Sequence, residues 1–312
     1  TLTTDQQVAA KAWEYAYDAN SNRTRQTVDG RAIDYTYNKA DQLTTIAGDP
    51  ALSGQVGYDP GTGAVTTLGP LTLTYDAAGN VAQVADSAAK SSVRYQRDSS
   101  AIVIGKTTTL PDGTESSIHY SANGLLLDGR TNAPLYQQVQ LPGGVSVLRT
   151  IAPGAAAAQS WSYPSINNNL MLVADGAGVP SSKAPTLFDP FGQRLSTGGA
   201  AAAPVGLQTG FQATGGYQTE ALSIDVTLMG ARMYVAALGR FLQVDPQAGG
   251  SANNYDYASQ DPINATDSTG AAAWWKWVLA VTAGVVVSVL TGGATAWANG
   301  AILAAAWSTV GA

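Results

Sequence analysis

The chemistry open to this chain is bounded first by what it lacks. Its 312 residues include no cysteine and one histidine, His119. Disulfides, thiolate metal sites and cysteine nucleophiles are therefore excluded, as are two-histidine zinc motifs, and a serine triad would rest on a single imidazole. His119 stands in the alternating stretch Ser117-Ile118-His119-Tyr120, which reads as an exposed strand position. Gly105-Lys106-Thr107 carries part of the spelling of a phosphate loop. Ser100 occupies the place of the first required glycine and the tripeptide lies in a strand run, so it is not one. Asp/Asn-rich turns show no ordered calcium-ligand spacing. No cofactor is expected. Carboxylate chemistry remains: paired carboxyls can activate water and polarise a peptide carbonyl, because close like charges force their pKa values apart. An arginine beside them could hold one ionised or stabilise an oxyanion. The densest motif region is residues 229–270, with Arg232, Asp245-Pro246, Asp261-Pro262 and Asp267-Ser268-Thr269-Gly270. By spelling alone these are ordinary turn sequences, and Arg232 could equally serve a structural ion pair.

The elements that would position such residues come from a repeat. Tyr17-Asp18-Ala19-Asn20, Tyr37-Asn38-Lys39-Ala40, Tyr58-Asp59-Pro60-Gly61, Tyr75-Asp76-Ala77-Ala78, Tyr95-Gln96-Arg97-Asp98 and Tyr120-Ser121-Ala122-Asn123 recur at steps of 20, 21, 17, 20 and 25 residues. A period of this size predicts an array in place of a single globule. Alternating segments such as Leu71-Thr72-Leu73-Thr74-Tyr75 have the two-residue period of a half-buried strand, and the following Asp/Asn/Gly cluster supplies a turn, so each unit reads as a β-hairpin. One hairpin buries too little to offset roughly 1–2 kcal/mol of backbone entropy per ordered residue, so the units must stack. Turns at Leu110-Pro111-Asp112-Gly113-Thr114 and Leu141-Pro142-Gly143-Gly144 predict two further hairpins. Asn169 to Asp175 reads as a strand, and Phe188-Asp189-Pro190-Phe191-Gly192 as one more unit with phenylalanine for tyrosine.

The repeats, together with Arg232-Met233-Tyr234, Gly239-Arg240-Phe241, Asp245-Pro246, Asn254-Tyr255-Asp256-Tyr257, Asp261-Pro262-Ile263-Asn264 and Asp267-Ser268-Thr269-Gly270, resemble the tyrosine-aspartate (YD) repeats and associated core of the Rhs family of bacterial polymorphic toxins. Its relatives include toxin-complex C components and teneurins. The resemblance spans most of residues 13–270. It implies an all-β fold: stacked hairpins of a spiral shell over residues 1–210, closed by a core or plug module at 211–270. It also implies that the core can act once on its own chain as an aspartyl protease, with Asp245 and Asp267 as the carboxylate pair, Arg232 as their basic partner, and the cut after Ala271. High effective molarity would favour such an intramolecular reaction. The chain departs from the family pattern at Ser268, where proline is usual, at Asp261, where asparagine is, and at Ala271, where a larger apolar residue is.

Residues 271–312 change character. Lys276 is their only charge, and they hold five of the seven tryptophans. Trp274-Trp275-Lys276-Trp277 leads into an uncharged run, expected to be helical, whose first segment is long enough for a membrane span with an interfacial lysine. A buried helical pair inside the shell, or the leading part of a toxin, are equal alternatives. The tail holds no nuclease or deaminase constellation. The chain opens Thr1-Leu2-Thr3-Thr4, without methionine or apolar leader, and reads as a piece of something longer. Net charge is −6, with no basic run, which excludes nucleic acid as a partner of residues 1–270. The resemblance implies a secreted or surface location, and as partners the chain's own C-terminal toxin segment, a delivery apparatus and an immunity protein. A surface adhesin that binds carbohydrate, and a membrane-inserting effector acting through 271–312, are the competing functions.

Overall fold

The computed structural model describes residues 12–121, 123–182, 184–195, 207–220, 222–246, 253–267 and Gly270. The expected apolar tail and the Ala271 cut lie outside these. Among the described residues no helix is long and apolar enough to cross a membrane.

The architecture is all-β, in three antiparallel sheets. Five strands form the first: β1 (Trp13–Tyr17), β2 (Arg23–Val28), β3 (Arg31–Tyr37), β4 (Leu43–Ala47) and β5 (Gly54–Gln55). Twelve form the second: β6 (Gly57–Tyr58), β7 (Val65–Leu68), β8 (Leu71–Tyr75), β9 (Val81–Asp86), β10 (Ser91–Arg97), β11 (Val103–Thr109), β12 (Glu115–Tyr120), β13 (Leu125–Asp128), β14 (Pro134–Gln140), β15 (Ser146–Thr150), β16 (Gln159–Pro164) and β17 (Leu170–Asp175). Every strand pairs with its neighbour in sequence, so both sheets are meanders. Four short strands form the third sheet: β18 (Thr219–Glu220), β19 (Val226–Met229), β20 (Arg232–Val235) and β21 (Arg240–Phe241).

The repeat works through its aspartate and its tyrosine hydroxyl. Oδ1 of Asp76 accepts from the amides of Ala78 and Asn80 at 2.9 Å each, and Asp18 holds Asn20 and Asn22 in the same way. This is the local side-chain turn expected of Asp and Asn. The ladder slips by one residue at Tyr17, Tyr37, Tyr58 and Tyr75. At the last three the hydroxyl reaches a main-chain carbonyl of the preceding unit. Tyr37 Oη donates to Arg23 O at 2.9 Å and Tyr58 Oη to Leu43 O at 3.1 Å, while Tyr75 Oη donates to Val65 O.

The fifth unit differs from the sequence expectation. Its turn aspartate is Asp98, which receives the Ser100 and Ile102 amides, and the ladder slips at Arg97. Arg97 thus occupies the tyrosine's place, and its Nη1 donates to Val81 O at 2.6 Å. Tyr95 lies two residues earlier, where Leu73 and Tyr35 sit in their units, opposite Lys106.

Alternation buries one face of each strand: Leu71 and Leu73 are covered while Thr72 and Thr74 are exposed. On that inner face each returning strand opens with a buried pair three residues apart, Arg23 and Gln26, Leu43 and Ile46, Val65 and Leu68, then Val81 and Val84. The third sheet packs over them. Ile224, Val226, Met233, Val235, Leu238 and Leu242 join Leu43, Ile46, Leu68, Leu71, Val81 and Val84 in one core. A second core of Phe211, Met229, Tyr234, Phe241 and Tyr257 lies on the module's other face.

Polar contacts lace the module to successive units. Asn253 donates to Asn20 O, Arg240 to Asp41 O at 2.7 Å and Tyr255 Oη to Gly63 O at 2.7 Å. Ser223 Oγ donates to Asp86, and Lys106 to Glu220. The seam is therefore bonded about once per repeat.

Candidate carboxylate site

Strand β20 is buried on both faces. Its two-residue period sends Met233 and Val235 into the core against the array, and Arg232 and Tyr234 to the other side. The tight Gly230-Ala231 turn pairs Arg232 with Met229 and fixes where its side chain leaves the sheet.

Arg232 gathers the residues expected at the site. Its Nη2 lies 2.9 Å from Asp245 Oδ2 and 3.0 Å from Asp267 Oδ2, and all three side chains are at most 7% exposed. Nη1 donates to Asn254 O at 3.2 Å, and Nε donates to Gly270 O. The guanidinium lies 3.8 Å from the centre of the Phe241 ring, a cation–π contact that covers its remaining face. Burial holds the Arg232 pKa below its ordinary value, a pull opposed by Asp245, Asp267 and Asp256. It remains a cation, since guanidinium does not lose its proton in proteins.

Each partner is set by local backbone. Asp245 follows β21, and its amide donates to Asn254 O at 2.8 Å, the carbonyl that also receives Arg232. Gln243 Oε1 accepts from the Met233 amide at 2.7 Å, tying that segment across β20. Gly270 has φ +62 and stands where a Cβ would strike Met229 O and crowd Arg232 N. A glycine is thus required for the chain to reach Nε. Beside Asp267, burial together with its charge pushes the Tyr217 hydroxyl up to about 12 and raises Tyr257 further. Both phenols stay protonated.

Two carboxylates and one permanent cation thus share a buried site, with the Gly270 carbonyl bonded to the same side chain. Among the described residues no cluster of three or more metal-ligating side chains forms. His119 lies away from the site on β12, its nitrogens 3.1 Å from Asn132 Oδ1 and 2.8 Å from Gln96 Oε1. Asp261 caps its own turn through Asn264.

Two groups were missed in the sequence. Asp256, 3% exposed, is pushed up to about 6 chiefly by burial, an effect opposed by its bond from Gln260 and by Arg240 and Arg232. Lys106, dismissed with the false phosphate loop, is 2% exposed, and its Nζ lies 2.7 Å from both oxygens of Glu220. Its one available signal was phase, since a lysine there faces inward on an alternating strand.

No protein-family model matches the chain, and no curated protein does. Solved structures do share its fold. The crystal structure of TcdB2-TccC3-TEV superposes with a TM-score of 0.62 at 18% identity, over 83% of this chain and 13% of that one. TcdB2-TccC3-Cdc42 gives 0.50 at 16%, over 84% and 17%, and TcdB2-TccC3 without its hypervariable C-terminal region gives 0.51 at 16%, over 83% and 15%. The chain therefore spans under a fifth of the length of these chains.

Proposed function

We propose that this chain is part of the wall of an Rhs-type, toxin-complex-like β-shell, and that its module severs the chain once, after Ala271, to free the segment that follows. The observation that carries this reading is the meeting of Asp245, Asp267 and the Gly270 carbonyl on the buried Arg232, both carboxylates at Nη2 and the carbonyl at Nε. A structural ion pair needs only one carboxylate. Two carboxylates on one cation, with the backbone beside the expected cut bonded to the same side chain, make a preorganised hydrolytic geometry.

In the reaction, one carboxylate takes a proton as the water oxygen bonds to the Ala271 carbonyl carbon. The other, in its acid form, lends a proton to the carbonyl oxygen, and Arg232 stabilises the charge that develops there. The carbon–nitrogen bond then breaks and the nitrogen of Ala272 takes up a proton. The products are a carboxyl group at Ala271 and an amine at Ala272.

The occupant of such a shell would be the chain's own C-terminal segment. In support, one of the similar structures is TcdB2-TccC3 without its hypervariable C-terminal region, and two others join TEV or Cdc42 to TcdB2-TccC3. A secreted or surface location, a delivery apparatus and an immunity partner belong to the same reading.

Intact mass of the purified chain tests it. Wild type should give two species that meet at Ala271/Ala272, while Asp267→Asn and Asp245→Asn should each give one full-length species with an unchanged circular dichroism spectrum. An uncut wild-type chain would overturn the protease reading.

A further inference from the structure

We infer that the buried Lys106–Glu220 pair is a register lock: it fixes which repeat unit the module docks on. The problem it solves arises from the repeat. The inner face offers nearly the same seat every 20 or so residues, and the module's apolar face cannot tell one from the next. Hydrophobic contact is non-directional and follows area, so a module displaced by one unit would still bury its leucines and valines.

Most polar contacts across the seam share this ambiguity. Asn253, Arg240 and Tyr255 donate to the main-chain carbonyls of Asn20, Asp41 and Gly63, and Leu242 O accepts from the Val65 amide. Every unit presents such backbone groups. The buried Arg240 also lies over the Tyr37 ring, at 5.0 Å, and Tyr58 and Tyr75 repeat that ring. The carboxylate that receives Ser223, Asp86, has a counterpart two units earlier: Asp86 holds the Ala88 and Ala89 amides just as Asp49 holds those of Ala51 and Leu52, while the unit between turns at Gly69-Pro70.

Arg23 breaks the pattern at one end of the seam, its Nη2 donating to Ala237 O at 3.0 Å, and Glu220 breaks it at the other. It is 3% exposed and is the acid that the module sinks into the array face. Its oxygens receive Lys106 Nζ at 2.7 Å each, and Oε1 also receives Tyr95 Oη at 3.1 Å. The seat held by Lys106 is held by Gln26, Ile46, Leu68 and Val84 in the four preceding units. Sliding the module back by one unit would set Glu220 against Val84 and Leu73, with no cation in reach. Arg97 belongs to the same adaptation. By capping Val81 O in the tyrosine's place, it does the hydroxyl's usual work inside the unit, and Tyr95 turns its hydroxyl to the module. One unit on, Tyr120 also gives its hydroxyl to the module, at Gln218. A buried polar pair is a weak source of net stability, and its best-attested use is to single out one register among several.

The chain has no cysteine, so introduced pairs report position cleanly. Spin labels at Arg149→Cys, exposed on β15, and Ala231→Cys, exposed in the β19–β20 turn, report the module's position along the array. A displacement of one unit is two strand spacings, about 10 Å, which resolves the native from the displaced register. The pair would be placed in the full chain, with and without Lys106→Met plus Glu220→Met. The lock predicts that the double-methionine chain folds and gains a second label–label distance about 10 Å from the first, because apolar replacement keeps the core but removes the discriminating charge. Exchanging the charges (Lys106→Glu with Glu220→Lys) should restore the single native distance. A double-methionine chain that shows the wild-type distance alone would overturn the inference. Failure of that chain to fold would overturn it too, since the pair would then be a support and not a discriminator. Neither result bears on cleavage, which mass alone reads.

Discussion

In the array, Asp59, Asp112 and Asp128 are held below the usual carboxylate range by hydrogen bonds from Thr62, Thr114 and Thr131 in their own turns. At Asp76 and Asp86 burial pulls the other way and is outweighed by bonds from Asn80, and from Ser223 with the Ala89 and Ala88 amides. At the seam under the module, Asp189 and Asp256 are pushed up to about 6, chiefly by burial, despite their hydrogen bonds and the nearby arginines. Asp86 apart, the array therefore uses carboxylates as anions within a few residues of chain. The module instead draws charges together from 13 to more than 100 residues apart and encloses them. Array parts are replaceable one by one. Module parts are not, because each buried charge depends on a partner from elsewhere.

The hardest blow to this contrast is Arg232→Met. It leaves Asp245 and Asp267 buried without their cation and should cost about 3–5 kcal/mol. Hydrogen exchange should accelerate across β20 and β21 while β6–β9 keep their protection. Uniform acceleration throughout would show the two regions to be one cooperative unit.

Acidity separates the regions next. The folded pKa of Asp189 and Asp256 is raised, so their contribution is fully present below about pH 4 and lost as pH rises through 6; the difference is about 2–3 kcal/mol each at most. The array aspartates are lowered, so theirs is present above the same point and lost in stronger acid. Denaturant unfolding should thus show the module firmer near pH 5 than near pH 7.5, and Asp189→Asn should flatten that slope. A slope unchanged by the substitution would assign it to other groups.

Tyr75→Phe tests a single array part. Losing the bond to Val65 O should cost about 1 kcal/mol and stay within its own unit. The smallest effect belongs to Arg97→Tyr, which restores the regular unit and should shift stability by no more than about 0.5 kcal/mol. A large loss there would mean that Arg97 serves more than the Val81 carbonyl.

These particulars explain what could be read from the chain beforehand. Tyr37, Tyr58 and Tyr75 announce their hairpins because ring, turn residue (Asn38, Asp59 or Asp76) and bulge lie within a few residues. The fifth unit misleads for the same reason. Its phase is carried by Asp98, and the nearby Tyr95 draws the eye two residues too early. Arg232, Asp245 and Asp267 could be named through resemblance, yet no local rule brings them together, since turn and strand geometry alone would place each in an ordinary role. Lys106 and Glu220 are 114 residues apart and carry no signature on either side. Their meeting depends on how the third sheet lies over the first two.

The strictly sequential strand order has a mechanical consequence. A meander pulled from one end presents its ladder to the load one hydrogen-bonded pair at a time, so it should unzip at low force, hairpin by hairpin, with no step that breaks many bonds at once. The resisting points would be the seam contacts at Asn20, Asp41, Gly63, Asp86 and Lys106. A wall of this kind gives way in even increments wherever it is bare and holds where the module crosses it.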